Sequence, residues 1–77
     1  MTEELNEKQR EFYEVVETHY KTFGELPTYR ECMNYMGWKS RQHVFNYIKA
    51  IEKKGFWDKV EVKIEAQPIG IIFKNNT

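Results

Sequence analysis

The side chains of this 77-residue chain best suited to chemistry are cations gathered in its middle. Residues 28–60 carry Arg30, Lys39, Arg41, Lys49, Lys53, Lys54 and Lys59 against Glu31, Glu52 and Asp58, an excess of four positive charges. Residues 1–27 carry the opposite balance. There Glu3, Glu4, Glu7, Glu11, Glu14, Glu17 and Glu25 face Lys8, Arg10 and Lys21, an excess of four negative charges. A net charge of zero hides this polarity. It would orient the chain on a polyanion, though less strongly than a basic domain would be oriented. A solvated charged surface is the other reading of the same residues.

Other chemistries find little support. No nucleophile–base pair, phosphate-binding glycine loop or paired carboxylates can be picked out, so the chain is not expected to be an enzyme. His19 and His43 are distant in sequence and no cysteine or carboxylate constellation joins them, so neither a metal nor another cofactor is expected. His19 falls on an apolar stripe and reads as a core histidine. The single cysteine, Cys32, excludes an internal disulfide and reads as a buried structural thiol in a reducing compartment. No apolar run approaches the roughly 20 residues that span a bilayer, and no signal peptide is visible. The expected location is the cytoplasm, at the nucleoid if DNA is bound, with no membrane or small-molecule substrate as partner.

The elements that position the cations can be read from their punctuation. Asn6 or Thr2 can cap a first helix that runs to about Phe23, with Phe12, Val15, Val16, His19, Tyr20 and Phe23 as its inner stripe. Gly24 stops it and Pro27 closes the connection. Thr28 and Glu31 form a capping box at the start of a second helix, whose inner side is Cys32, Met33 and Met36. Gly37 suits a left-handed helix end, and Trp38 lies in the turn where an aromatic can lock two helices together. Ser40 can cap a third helix that runs to Gly55, with Val44, Tyr47, Ile48 and Ile51 facing in. Two helices of about two and four turns joined by a short turn have helix-turn-helix proportions.

After Gly55 the period changes. Phe56-Trp57 leads into an alternation over residues 60–65 that signals a half-buried strand. Gln67-Pro68 breaks it, and Ile69-Gly70-Ile71-Ile72-Phe73 resumes as a second strand. Three helices followed by a hairpin predict an α+β fold, a winged helix-turn-helix. The chain is expected to form one domain over residues 1–77, with residues 73–77 as a frayed tail.

Residues 5–57 resemble the amino-terminal DNA-binding domain of the LexA repressor family. The likeness rests on Leu5, Gln9, Phe12, Val16, His19, Gly24, Pro27-Thr28, Arg30, Glu31, Gly37, the aromatic Trp38, Ser40, Ile48-Lys49-Ala50 and Lys54-Gly55. The hairpin resembles the family's wing through Gly70-Ile71. The resemblance implies sequence-specific binding of double-stranded DNA, with the third helix in the major groove. By position it implies Ser40, Gln42, His43, Phe45 and Asn46 as base-reading residues. Gln42 and Asn46 can each pair with adenine, His43 can donate to guanine or phosphate, and Phe45 can pack on a thymine methyl. Lys39, Arg41, Lys49 and Lys53, with Thr28 at the second helix start, are the implied phosphate contacts.

Departures from the family pattern matter. The family has acidic residues where Phe45 and Asn46 stand, a proline in place of Arg41, and a wing arginine in place of Ile69. Any operator therefore need not be the family's operator. Glu61 and Glu65 make the wing a poor surface for phosphates. The family's second domain, with its serine–lysine self-cleavage dyad and dimer interface, is not expected in a chain this short, and no self-cleavage follows.

Two functions stay open at this point. One is a small repressor-like regulator of transcription, of phage or mobile-element type, whose homodimer would use aromatic surface such as Trp57 or Phe73. The other is a winged-helix module that binds a host or self protein through Phe45 and the wing. Phe45 points away from the inner stripe of its helix. It reads as a base contact, a protein contact or a residue packed under the wing.

Overall fold

Local capping decides where each helix begins and ends. The computed structural model describes residues 4–60 and 68–74. The chain order is α1 (Glu7–Phe23), α2 (Tyr29–Met36), α3 (Arg41–Lys53), β1 (Trp57–Lys59) and β2 (Ile71–Phe73). Asn6 caps α1 through a capping box with Gln9, at 2.8 and 3.1 Å; Thr2, the other expected cap, lies outside the described residues. Thr28 caps α2 through the expected box with Glu31, at 2.8 and 3.1 Å. Gly24 and Gly37 end these two helices in the left-handed region, at φ 75° and 72°. A side chain there would cost roughly 1–2 kcal/mol, which is why glycine occupies both positions. Helix α3 starts where Ser40 accepts from the Gln42 amide at 3.0 Å and ends at Lys53, two residues short of the expected Gly55.

The three helices close over an aromatic centre. Phe12 of α1 is wholly buried and meets Trp38, Tyr47 and Trp57 at ring separations of 5.3, 6.2 and 6.1 Å. Val16, Cys32, Met36, Val44, Ile48 and Ile51 fill the space around it. The α3 stripe is as expected, with Tyr47 half-buried at its edge. The α1 stripe is shorter. Tyr20 and Phe23 are 46% and 64% exposed, whereas Leu5 and Tyr13 pack at the other end of the helix. Periodicity marks the face of a helix but not how far along that face a packing partner extends.

The hairpin differs from its expected bounds. Strand β1 begins three residues early, at Trp57, and pairs antiparallel with β2 in the register Trp57↔Phe73, Asp58↔Ile72, Lys59↔Ile71. The Trp57 side chain is wholly buried, and its indole donates to the Ile48 carbonyl of α3 at 3.0 Å. That anchor places the ladder next to α3, ahead of the alternation that signals a strand. Val60 follows β1, its amide bonded to the Gly70 carbonyl at 2.8 Å, and residues 61–65 of the expected strand lie outside the described residues. Ile69, expected in the second strand, instead donates its amide to the Pro27 carbonyl at 2.8 Å, and Pro68 bridges Thr28. The start of the second strand is thereby stitched to the α1–α2 connection. Phe73, placed in the expected tail, ends β2 with its ring near Tyr13, Tyr20 and Trp57; residues 75–77 lie outside the described residues.

Candidate nucleic-acid interface

The presentation of α3 starts in the turn before it. The amides of Gly37 and Trp38 both turn back to the Met33 carbonyl, which fixes the exit of α2. The Trp38 ring then stacks on Tyr47 at 4.6 Å and lies beside His43 at 5.9 Å. Because Trp38 also meets Phe12, one indole sets the start of α3 against α1. Ser40 is held as the cap, its oxygen engaged by Gln42 and its carbonyl by the His43 amide at 3.2 Å. The hydroxyl proton of Ser40 remains a donor.

The opposite side of α3 is polar. Gln42, Asn46, Lys49 and Lys53 recur at intervals of four, three and four, share one helical face and are all exposed. Val44, Ile48 and Ile51 occupy the buried face. Arg41 and His43 are exposed at the amino end of the helix, and Lys39 is exposed in the turn. Gln42 Nε2 donates to Asn46 Oδ1 at 2.9 Å. The pair leaves a carbonyl oxygen on Gln42 and an amide nitrogen on Asn46, an acceptor and a donor locked in one relative position. Arg41 also acts on the Tyr29 phenol. Burial and the neighbouring Cys32 raise that group above its usual range, and the guanidinium offsets part of the rise.

Two expected contacts stand differently. Phe45 is half-buried, and the ammonium groups of Lys59 and Lys49 lie over its ring at 3.9 and 5.6 Å from the centroid. Thr28 sits at the α2 cap, with its hydroxyl and its amide both engaged by Glu31. The Glu31 carboxylate places negative charge at that helix start, where a phosphate would otherwise be drawn.

Some functional geometry has no signal in the sequence. Lys54, counted with the basic cluster, reaches Gln9 Oε1 at 2.7 Å and the Glu4 carbonyl at 3.0 Å, tying the end of α3 to the start of α1. Lys59 joins the α3 surface from β1, a juxtaposition created by the hairpin register. His19 is buried, with Nδ1 2.8 Å from the Tyr35 hydroxyl and Nε2 4.0 Å from Glu31. Cys32 is wholly buried, and desolvation pushes its thiol up to about 12, with Glu31 adding to the rise. Trp57 and Phe73, expected as dimer surface, are respectively buried in the core and half-buried against it, because β1 is drawn onto α3. Among the described residues, no three His, Cys, Asp or Glu side chains gather as metal ligands, and no helix is long and apolar enough to cross a membrane.

A helical pair joined by a four-residue turn, a preceding helix and a following antiparallel hairpin define a winged helix-turn-helix. The family model of the LexA DNA binding domain matches residues 2–64, and the chain belongs to that family. It is 34% identical over 56 residues to a LexA repressor of Clostridium kluyveri, covering 73% of this chain and 28% of that protein. It is 37% identical over 59 residues to the LexA repressor of Myxococcus xanthus, covering 77% of this chain and 27% of that protein. The chain thus corresponds to little more than a quarter of each relative's length.

Proposed function

We propose that this domain binds duplex DNA sequence-specifically and acts as a repressor-like regulator of transcription, with α3 in the major groove. The observation that carries this reading is the outer face of α3. An amide pair, Gln42–Asn46, is continued by Lys49 and Lys53 on one exposed surface, directly behind the wholly buried Val44, Ile48 and Ile51. Amides at the amino end suit base edges, and cations farther along suit phosphates. Ser40 and His43 flank the amide pair, and Lys39 and Arg41 supply cations at the helix start. Thr28 would join them only if a phosphate displaced the Glu31 carboxylate from its cap. Dimerisation on a two-fold operator would use surface other than Trp57, which the core occupies.

The test is selection from a random duplex library with the purified domain, at low and then moderate salt. A recovered motif is expected, and a palindrome would report a dimer. Absence of enrichment, with no retention at low salt, would overturn the reading. The second reading, a protein-binding module, is favoured by a separate surface. Phe23 and Tyr35 are exposed beside Glu11 and Glu14 around a shallow groove on α1 and α2. In that case the domain would bind without the steep salt dependence of a phosphate-neutralising protein.

A further inference from the structure

We infer that Phe45 is a positioning residue that joins the wing to α3, gathering Lys59 and Lys49 into one cationic site for the DNA phosphate backbone. The inference rests on the DNA-binding reading. Lys59 belongs to β1 and Lys49 to α3, yet both ammonium groups lie over the same ring, at 3.9 and 5.6 Å from its centroid. The negative face of an aromatic ring attracts a cation at such distances. Phe45 and Lys49 are four residues apart on α3 and therefore neighbours on its surface. Lys59 is fixed from its own side. Its amide meets Glu52 Oε2 at 3.3 Å, and it is paired with Ile71 in the hairpin. Among the described residues neither lysine is ion-paired with a carboxylate, and the ring is the group that both ammonium ions share. A phosphate arriving there would relieve their repulsion.

This role differs from base reading. A ring face covered by an ammonium group at 3.9 Å is occupied, so on that face the ring acts on DNA through the lysine. It also gives the wing a contact at its base, on the α3 side. Lys59 thereby becomes a phosphate contact alongside Lys49.

The experiment has two arms, applied to the wild type, Phe45→Leu, Lys59→Gln and the double variant. Without DNA, NMR follows the side-chain methylene protons of Lys59, which the ring current shifts upfield. In Phe45→Leu that shift is expected to vanish while the core signals stay in place. With a mixed-sequence duplex at low salt, Phe45→Leu and Lys59→Gln are each expected to weaken binding by about three- to tenfold. Each is also expected to lower the salt slope by about one. The double variant should be no weaker than either single one, because both break the same unit. No Phe45-dependent shift at Lys59 would overturn the clamp and leave the DNA reading intact. Additive losses would overturn the shared role. A normal ring shift in a wild type that retains no duplex would overturn the DNA reading and, with it, the phosphate role of the pair.

Discussion

Helices α1 and α3 pack against each other through the same kind of inner surface and present opposite chemistry outward. The inner faces meet through Phe12 and Val16 on one side and Val44, Ile48 and Ile51 on the other, all wholly or nearly wholly buried. Outward, α1 exposes Glu7, Glu11 and Glu14, and α3 exposes Arg41, Lys49 and Lys53. The zero net charge is therefore the average of two faces and describes neither. A polyanion meeting this domain would be turned toward α3 and away from α1, because the field is dipolar even though its total vanishes.

The largest effect is expected from parting the two helices. Phe12→Ala removes the ring that meets Trp38, Tyr47 and Trp57. The expected cost is about 3–5 kcal/mol, a large share of the stability of a small domain. Thermal unfolding followed by circular dichroism should show the midpoint fall by about 15 °C or more. An unchanged midpoint would mean that the aromatic centre does not join α1 to the rest.

A smaller effect is expected from erasing one face and keeping the fold. Arg41→Ala combined with Lys49→Ala should leave the unfolding midpoint nearly unchanged. Duplex affinity at low salt should fall about a hundredfold and the salt slope by about two, one for each phosphate no longer neutralised. Retained affinity would show that α3 does not face the DNA.

The smallest effect is expected from removing charge on the acidic face. Glu7→Gln with Glu14→Gln should raise duplex affinity about two- to threefold at low salt and leave it unchanged above physiological salt, where exposed charges are screened. An equal gain at high salt would place α1 in direct contact with the partner and contradict the opposition of the two faces.

Much of the fold could be read from short-range signals. The cap at Thr28 with Glu31, the left-handed stops at Gly24 and Gly37, and the Val44–Ile48–Ile51 stripe each act within a few residues, so the chain announces them locally. The same holds for the outer face of α3, since a helical stripe and its reverse are one pattern. Other features needed a partner from elsewhere in the chain. Tyr20 and Phe23 obey the helical period and still stand exposed, because the packing along that face ends near His19. Trp57 reads as surface until its indole meets the Ile48 carbonyl. Lys54 reads as one more free cation until Gln9 and the Glu4 carbonyl capture it.

The amino-acid order alone determined three capped helices, a following hairpin and a split of charge between the two halves, because capping, periodicity and charge are properties of neighbouring residues. Tertiary structure alone decided which cations remain available and which aromatic side chains are structural. Those outcomes depend on distances between residues far apart in the chain. The register of β1 on β2 carries Lys59 to the ring of Phe45, and the closure of α3 on α1 engages the Lys54 ammonium with Gln9 and the Glu4 carbonyl.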